Sequence, residues 1–505
     1  MEPSTYQKVI YKAYDETNDN IVVQACPGSG KTTTLIHLLR RTPQWRKVIF
    51  LAFNKSIQQE LEKKVPTGVE TSTIHSLGLK TLRKNVTIGS MKVSEYKTWV
   101  LAKKCLPYLN MFEDKKRNAY LGTISQLYDL YRLNLLKSID ELEEVALNYG
   151  IDFVQDHIKD LPVVIKHISK YNKNRDSKEF MLDYTDMLYL PYTLVKTEDF
   201  PKYDVVMVDE VQDLNKLQKA LIDRLCKSNG RFIAVGDKNQ AIYAFIGANR
   251  EVFEQFEKAP RTQVLPLSVS YRCAKAIVRA ANKVFDGVEP FENNEEGVVR
   301  TGKVSEAEDG DFIICRNNLP LIMVYFDLAK EGKKVSILGR DLQQGLEQIL
   351  GIIKGYPNRQ DAITYLTQDK LDSIKKKYPT HPNPKTHPSF RNLMEKINIV
   401  EYLYSSCDED LDIVEKTIGN MFSDNQEGGI SMMTGHKSKG LEADKVFFLF
   451  PELVPSPYAE TPIELNQEEC LKYVIVTRAK RELVFVQMSP VDQFRIKELG
   501  GVIKI

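Results

Sequence analysis

The stretch that decides the fold is residues 21–40, which read IVVQACPGSGKTTTLIHLLR. An apolar run ends at Ala25, and the segment from Thr33 to Arg40 has the apolar periodicity of a helix. A strand, a glycine-rich turn ending in Lys31 and Thr32, and a helix follow in the order that a phosphate-binding loop requires. Ala25 stands where the strict pattern has glycine, which this context tolerates. The stretch therefore predicts a phosphate site rather than a chance glycine-rich turn.

The residue types of this loop suit phosphate chemistry. Glycines let backbone N–H groups approach phosphate oxygens, and the amino end of the following helix favours negative charge. Lys31 is predicted to meet the β- and γ-phosphates of a nucleotide, and Thr32 to hold Mg²⁺ through its hydroxyl. The predicted nucleotide-contacting residues of the loop are Ala25, Cys26, Pro27, Gly28, Ser29, Gly30, Lys31, Thr32 and Thr33.

An acidic pair, Asp209 and Glu210, follows the apolar run at residues 205–208. Asp209 is the predicted second protein ligand of Mg²⁺, beside Thr32. Glu210 is the candidate to orient or deprotonate the water that attacks the γ-phosphate. Alone, an acidic pair at a strand end is more often simply solvated. Together with a phosphate-binding loop it indicates a nucleotide hydrolase.

Short apolar runs rich in Val, Ile and Phe recur along the chain, and most precede segments with helical periodicity. This alternation predicts an α/β fold, and the near-continuous apolar character of the runs suits parallel strands covered on both faces. The predicted strands are residues 21–25, 48–53, 205–208, 232–235, 264–267, 312–315, 334–338, 446–450 and 483–486.

Composition limits the class of protein. The chain has 505 residues, and its 70 Lys plus Arg against 68 Asp plus Glu leave a net charge of +2, so any contact with a polyanion must be local. Seven cysteines without a C-x-x-C pair argue against a disulfide framework or a thiolate zinc site. No apolar stretch has the length of a membrane span, and the amino end has no apolar signal core. We expect a cytoplasmic protein without a membrane partner, or a nuclear one in a eukaryote.

Seven short segments resemble, in order, the motif series of the UvrD, Rep and PcrA branch of superfamily 1 helicases. The resemblance extends over nearly the whole chain, and the ordered series is far more specific than any one segment. Besides the phosphate-binding loop and the acidic pair, the matching segments are Gln7, residues 50–55 (FLAFNK), 73–76 (TIHS), 234–248 (AVGDKNQAIYAFIGA), 270–272 (SYR), 434–442 (TGHKSKGLE) and 473–479 (YVIVTRA).

The resemblance implies ATP as the nucleotide and assigns further contacts to it. Gln7 would read the adenine edge, and Tyr271 would stack on the base. Gln240 would sense the γ-phosphate, and Glu442, with Gly440 beside it, would accept from the ribose.

Two arginines far downstream of the loop, Arg272 and Arg478, are candidates to contact the γ-phosphate and to stabilise charge during its transfer. A surface salt bridge is the more common role for either arginine taken alone. Their positions in the motif series favour the functional interpretation, in which closure of a cleft between domains drives movement.

DNA is the partner that the resemblance implies. Aromatic side chains accept any base, with stacking worth roughly 1 to 3 kcal/mol per base. Phe53, Tyr243 and Phe245 occupy the matching positions, although an isolated aromatic near a strand end is more often a core residue. The other predicted DNA contacts are Asn54, His75 and His436.

The sequence departs from this family in three places. Thr33 replaces an arginine that often packs near the base, and Ile246 replaces an arginine of the coupling motif. The second helical insertion is also much shorter than in the larger members. These departures put base specificity, coupling and the auxiliary domain in doubt.

Two intervals, residues 91–173 and 341–424, interrupt the strand pattern and are predicted to be helical, with Tyr and Lys on the polar faces of segments 120–136 and 163–171. We therefore expect two RecA-like parallel-sheet motor domains of the P-loop NTPase fold, each with a helical insertion. The predicted parts are 1–88 and 176–265 for the first motor domain, 89–175 for its insertion, 266–340 and 427–505 for the second, and 341–426 for its reduced insertion.

The predicted function is an ATP-dependent DNA helicase that moves on single-stranded DNA, 3′ to 5′ by resemblance, and opens duplexes at single/double-strand junctions in replication, recombination or repair. One alternative is a DNA-stimulated ATPase that displaces bound proteins without productive unwinding. A weaker one is a helicase of opposite polarity. No protein loading partner can be named from the sequence.

Overall fold

The computed structural model describes residues 2–52, 55–109, 117–148, 153, 155–174, 179–242, 250–377, 383–386, 388–422, 428–459 and 462–498. The chain divides into two compact units, Met1–Ser268 and Val269–Ile505. A six-stranded sheet lies in each unit. No helix in these ranges is apolar over enough of its length to cross a bilayer.

The strands are numbered through both units. Those of the first unit are β1 (Asn20–Ala25), β2 (Val48–Ala52), β3 (Glu70–Thr73), β4 (Ser90–Val93), β5 (Glu179–Leu182), β6 (Tyr203–Val208), β7 (Cys226–Gly236) and β8 (Thr262–Leu267). Those of the second are β9 (Val269–Ser270), β10 (Glu289–Pro290), β11 (Val298–Thr301), β12 (Phe312–Cys315), β13 (Val335–Ile337), β14 (Ile430–Thr434), β15 (Ala443–Leu449) and β16 (Ala479–Val486).

The α-helices follow the same numbering. Those of the first unit are α1 (Thr5–Glu16), α2 (Lys31–Arg41), α3 (Lys55–Glu62), α4 (Ile74–Asn85), α5 (Lys97–Lys103), α6 (Arg117–Leu133), α7 (Asp140–Asn148), α8 (Gln155–Lys173), α9 (Asp186–Leu194), α10 (Lys216–Asp223) and α11 (Arg250–Glu257). Those of the second are α12 (Lys275–Asn282), α13 (Asn318–Lys330), α14 (Arg340–Lys354), α15 (Arg359–Lys377), α16 (Pro388–Ser406), α17 (Leu411–Met421), α18 (Pro462–Val476) and α19 (Pro490–Glu498).

The first sheet has the strand order β3-β2-β6-β7-β1-β8, and its strands pair in parallel. Successive side chains of a strand point to opposite faces. Ile21 and Val23 of β1 pack with Leu35 of α2 on one face, whereas Val22 packs with Phe253 of α11 on the other. Because helices cover both faces, the strand needs apolar residues at consecutive positions.

The second sheet has the order β11-β16-β15-β12-β14-β13 and is also parallel. The middle of its central strands is buried, as shown by Ile313 of β12 and Phe447 of β15, which are 0% exposed. The predicted α/β class with two parallel-sheet domains is therefore confirmed. The finer domain boundaries given above stay predictions.

Helices α5 to α8 lie within the interval 89–175, and α14 to α17 lie within 341–426 except for the first residue of α14, Arg340. The strands that flank the first group, β4 before α5 and β5 after α8, pair in parallel. The expectation that tyrosines of segment 120–136 lie on a polar face is wrong for Tyr128, which is 3% exposed within the helical core. The reason is that its ring covers the buried guanidinium of Arg132, 4.2 Å from the ring centroid.

Buried charges connect these helices to the rest of the first unit. Arg132 of α6 donates to both oxygens of Asp183, at 3.0 and 2.9 Å, and to Asp186 at 2.7 Å. Lys97 of α5 pairs with Asp186 and donates to Asn172 of α8 at 2.7 Å. We call Lys97, Arg132, Asp183 and Asp186 the insertion cluster.

Candidate nucleotide-binding site

The phosphate-binding loop occupies the carboxyl end of β1 and the amino end of α2. Gly28 and Gly30 have φ angles of 70° and 79°, which side-chain-bearing residues rarely adopt. Ser29 is fully buried and donates through its hydroxyl to the carbonyl of Cys26 at 2.8 Å. The predicted loop residues Ala25, Cys26, Pro27, Gly28, Ser29, Gly30, Lys31, Thr32 and Thr33 thus form one continuous turn into the helix.

The acidic pair lies against this loop because β1 and β6 both flank β7 in the sheet, so their carboxyl ends share one edge. Lys31 Nζ lies 2.8 Å from Glu210 Oε1. The hydroxyl of Thr32 donates to Asp209 Oδ2 at 3.1 Å. The structure therefore brings together the four residues predicted for phosphate, metal and water binding.

Negative charge dominates this part of the site. Burial alone would lower the pKa of Lys31, but Glu210, Asp209 and Asp237 together raise it above its ordinary value. Burial, with Glu210 adding to it, raises the pKa of Asp209 to about 6. Burial likewise raises the pKa of Asp237 to about 6, against the opposing effect of Lys31. One ammonium thus faces three carboxylates.

The residues present fit Mg²⁺. Thr32 and Asp209 offer a hydroxyl and a carboxylate oxygen side by side, and hard oxygen ligands are those that Mg²⁺ prefers. Mg²⁺ commonly takes only one or two protein ligands and completes its shell with phosphate and water. In the described ranges, no group of three or more His, Cys, Asp or Glu side chains is placed to hold a metal ion.

Gln7 lies beside the loop, at the start of α1. Its side chain closes a capping box with Ser4, and its Nε2 donates to Thr34 Oγ1 at 3.0 Å. Gln7 is 6% exposed. Both ends of the amide have protein partners here, so recognition of an adenine edge by Gln7 stays a prediction.

Gln240 lies in a short 3₁₀ turn after β7, at the same edge of the sheet. Its Nε2 donates to Asp237 Oδ2 at 2.7 Å. Between this turn and the acidic pair lies Gln212, whose amide contacts both. Sequence reasoning did not single out Gln212 or Asp237, although Gln212 lies two residues after Glu210 and Asp237 directly follows β7.

The predicted residues of the second unit form a cluster of their own. Arg272 Nε lies 2.5 Å from Glu442 Oε2, and Lys480 lies 3.1 Å from the other carboxylate oxygen. Burial alone would raise the pKa of Glu442, but Arg272 and Lys480 hold it below its usual range. Tyr271 contacts Phe291, with ring centroids 4.9 Å apart. Gly440 has a φ of 87°, which favours glycine.

Arg478 is buried, with 1% of its surface exposed. Its Nε donates to the carbonyl of Val474 at 2.9 Å, and its Nη1 donates to the carbonyl of Leu441 at 3.1 Å. Arg272, by contrast, has a side chain that is 23% exposed. In this structure Arg272 is thus the more accessible of the two predicted arginines.

The predicted DNA contacts are only partly visible. Phe53, Asn54, Tyr243 and Phe245 lie outside the described residues, as does Ile246. His75 lies in the first turn of α4, and burial lowers its pKa.

His436 follows β14 and lines a cavity of about 300 Å³ with Arg316, Lys396 and Lys437. Burial, with Arg316 adding to it, lowers the pKa of His436 to about 4, so its imidazole is neutral. The cavity is basic because Arg316 and Lys396, which sequence reasoning missed, together with Lys437 outnumber its one lining carboxylate, Glu395. Arg316 is itself paired with Glu468 at 2.7 Å.

The fold and the first-unit site together define a P-loop nucleotide-binding protein, in which a glycine turn, a lysine and an acidic pair meet at the carboxyl edge of a parallel sheet. Comparison with known families narrows this class. A model described as the UvrD/REP helicase N-terminal domain matches residues 7–261, and one described as the UvrD-like helicase C-terminal domain matches residues 341–489. The chain belongs to the UvrD/REP helicase family, which confirms the prediction from the motif series.

Several named relatives match most of the chain. F-box DNA helicase protein 1 of Schizosaccharomyces pombe is 25% identical over 544 residues, covering 95% of this chain and 56% of that protein. The ATP-dependent DNA helicase PcrA of Bacillus subtilis is 23% identical over 623 residues, covering 94% of this chain and 81% of that protein. A mitochondrial ATP-dependent DNA helicase of Saccharomyces cerevisiae is 27% identical and covers 57% of this chain. The chain spans 56%, 81% and 40% of these three relatives.

Proposed function

We propose that the chain is an ATP-dependent DNA helicase that hydrolyses ATP with Mg²⁺ and moves along single-stranded DNA. The observation that carries the proposal is the meeting of Lys31 with Glu210 at 2.8 Å and of Thr32 with Asp209 at 3.1 Å. The family membership and the names of relatives that match nearly the whole chain support DNA as the track.

The contacts suggest how these residues would work. When a nucleotide enters, Lys31 exchanges the Glu210 carboxylate for the more highly charged β- and γ-phosphates. Glu210, released from the ammonium, accepts a hydrogen bond from the attacking water and orients it towards the γ-phosphorus. Thr32 and Asp209 would hold Mg²⁺, whose chemistry is to neutralise charge on the phosphate oxygens.

For Arg272 and Arg478 the proposed role is to stabilise the charge that develops on the γ-phosphoryl group. Arg272 pairs with Glu442 at 2.5 Å, so it would exchange one anionic partner for another. Arg478 would first have to leave the carbonyls of Val474 and Leu441. We therefore propose Arg272 as the first of the two to engage.

The proposed DNA contacts combine stacking and charge. Phe245, with Phe53 and Tyr243, would stack on bases without reading their sequence. The basic cavity beside His436 supplies positive charge for the backbone. The direction of movement, 3′ to 5′ on the bound strand, is proposed from the motif series alone.

The deciding experiment measures ATP hydrolysis with and without single-stranded DNA, and then unwinding of duplexes with a 3′ or a 5′ tail. We expect stimulation by single-stranded DNA and unwinding from the 3′ tail. A rate of ATP hydrolysis that is the same with and without single-stranded DNA would refute the helicase proposal. Unwinding only from the 5′ tail would refute the proposed direction.

A parallel assay measures displacement of a protein bound to the DNA. DNA-stimulated hydrolysis and displacement, without unwinding of a forked duplex, would instead identify an ATPase that remodels protein–DNA complexes.

A further inference from the structure

A continuous chain of hydrogen bonds joins the acidic pair to the turn that carries Gln240. Gln212 Nε2 donates to Glu210 Oε2 at 2.5 Å. Gln212 Oε1 accepts from the backbone N–H of Asp237 at 3.0 Å. Asp237 in turn accepts from Gln240 Nε2 at 2.7 Å. Gln212 and Asp237, the latter through both its backbone and its side chain, therefore connect the proposed water-orienting carboxylate of Glu210 with the proposed γ-phosphate sensor, Gln240.

The position of Gln212 is tightly constrained. Its side chain is buried, with 1% of the residue exposed, so water cannot readily replace either hydrogen bond. A Cβ at Gly236 would lie 2.4 Å from Gln212 Oε1 and 2.9 Å from a methyl of Val211. Only glycine at the end of β7 leaves room for this amide. Because a carboxamide is planar, fixing its oxygen on Asp237 also fixes the direction in which its N–H groups point.

The backbone of Glu210 fits the same arrangement. Glu210 has φ 54° and ψ 45°, in the left-handed region, and it directly precedes the 3₁₀ turn of Val211–Asp213. With this backbone, the side chains of Glu210 and Gln212 lie within hydrogen-bonding distance of each other. Non-glycine residues in this conformation occur in turns and at functional sites, where the surrounding contacts hold them.

We propose that Gln212 is a positioning residue for hydrolysis, which holds Glu210 in place once Lys31 has moved to the nucleotide and links it to the turn that carries Gln240. The inference rests on the proposed function, since it presumes that Glu210 orients water. In the present structure Glu210 has two strong partners, Lys31 and Gln212. The ammonium moves to the phosphates, and the Gln212 amide then remains as the group that keeps the carboxylate from swinging away.

The link to Gln240 follows from the same contacts. Asp237 accepts from Gln240 through its side chain and donates to Gln212 through its backbone. A shift of Gln240 towards a γ-phosphate therefore moves the peptide that anchors Gln212. The Glu210 carboxylate would be aligned best when the nucleotide is a triphosphate.

Two substitutions at Gln212 separate positioning from a merely structural role. Gln212→Met keeps the length of the side chain but loses both hydrogen bonds. Gln212→Glu keeps the acceptor for Asp237 and the shape, but places a second carboxylate against Glu210. If Gln212 positions Glu210, both variants lower the DNA-stimulated kcat by roughly 100-fold, as displacement of a catalytic group does, with Glu at least as damaging as Met. Binding of a fluorescent ATP analogue stays close to wild type.

The matched control is Gln218→Met, which removes a buried glutamine that caps α10 in the same unit. It should leave kcat close to wild type. Gly236→Ala provides an independent variant, because it displaces the Gln212 amide without deleting it, and we expect the same split between kcat and nucleotide binding.

Three outcomes would overturn the proposal. They are a kcat for Gln212→Met equal to that of Gln218→Met, a milder loss for Gln212→Glu than for Gln212→Met, or a further loss when Gln212→Met is added to Glu210→Gln. If the wild-type protein hydrolyses no ATP with or without DNA, the proposed function itself fails, and that result is distinct from these three.

Discussion

Two clusters in the first unit, the nucleotide site and the insertion cluster, both pair cationic side chains with carboxylates, but they differ in access to solvent. At the nucleotide site, Lys31 and Glu210 have side chains that are 13% and 26% exposed. In the insertion cluster, Lys97, Arg132 and Asp186 have side chains that are 0% exposed. The first pair can therefore be reached by a ligand, whereas the second group is sealed from solvent.

The balance of charge differs as well. At the nucleotide site one cation, Lys31, faces three carboxylates, and two of these, Asp209 and Asp237, have a pKa raised to about 6. In the insertion cluster two cations share the carboxylates. There Arg132 holds the pKa of Asp183 below its usual range, although burial alone would raise it, whereas burial and the neighbouring Asp183 raise the pKa of Asp186. Both clusters thus contain a buried carboxylate whose pKa is raised, and what separates them is access, because only the nucleotide site is exposed enough to exchange a protein partner for a ligand.

The largest predicted effect tests the sealed cluster. Arg132→Met leaves Asp183 and Asp186 without their guanidinium, and removing one partner of a buried ion pair costs about 3 to 5 kcal/mol of unfolding free energy. Urea unfolding measures the loss. Arg279→Met, at a side chain that is 61% exposed, is the control and should leave the midpoint unchanged. Equal midpoints for the two variants would show that the insertion cluster is not structural.

The next effect tests the open site. Lys31→Ala should lower DNA-stimulated kcat/KM by about 10²- to 10³-fold, equivalent to about 3 to 4 kcal/mol of transition-state stabilisation. Lys31→Ala also removes the cation beside the buried Asp209 and Asp237, so urea unfolding is measured in parallel and kcat/KM is compared under conditions where the variant is folded. Lys80→Ala, at a side chain that is 74% exposed, is the matched control. Intact hydrolysis in Lys31→Ala would remove this residue from the site.

The third prediction concerns pH. Asp237 has a folded-state pKa raised from 3.8 to about 6, so between these values the folded protein binds a proton that the unfolded chain has lost. Its contribution to stability is therefore lost as pH rises through about 4 to 6, by about 2 to 3 kcal/mol in all. Asp237→Asn should lack this fall. Urea unfolding of both proteins is measured across that pH range. A difference in unfolding free energy that stays constant with pH would refute the assignment.

The smallest predicted effect lies at the DNA contact. Phe245→Ala should weaken binding of single-stranded DNA by about 1 to 3 kcal/mol, the worth of one stacked base. It should reduce the distance moved per ATP hydrolysed more than it reduces ATP binding. Fluorescence anisotropy would measure DNA binding, a translocation assay the distance moved per ATP, and titration with a fluorescent ATP analogue the ATP binding. Equal losses of distance per ATP and of ATP binding would count against a stacking role.

The strands that the sequence predicted best are those buried on both faces. The run at residues 312–315 coincides with β12, and the run at 232–235 lies inside β7, which begins earlier at Cys226. The additional residues of β7 are polar and partly exposed, so they gave no apolar signal. Strand β3 was not predicted because it is an edge strand, and its sequence ETST is polar.

The site was predictable where function depends on local sequence. The loop from Ala25 to Thr32 and the pair Asp209–Glu210 are contiguous patterns, and the structure brings them together. Gln212 could not be found in this way, because its acceptor contact is with Asp237, 25 residues along the chain. The insertion cluster could not be predicted from local sequence for the same reason, since Lys97 and Asp186 are 89 residues apart. Such contacts depend on strand order and helix packing, which no local pattern encodes.

The left-handed backbone of Glu210 has a consequence for protein engineering. A non-glycine residue in this conformation costs roughly 1 to 2 kcal/mol relative to glycine. Glu210→Gly relieves this strain but also deletes the contacts with Lys31 and Gln212, and if Glu210 orients water as proposed, a clone that gained heat resistance by this route would no longer hydrolyse ATP. Selection schemes for a robust version of this protein must screen for turnover at each round, because at this position the two properties oppose each other.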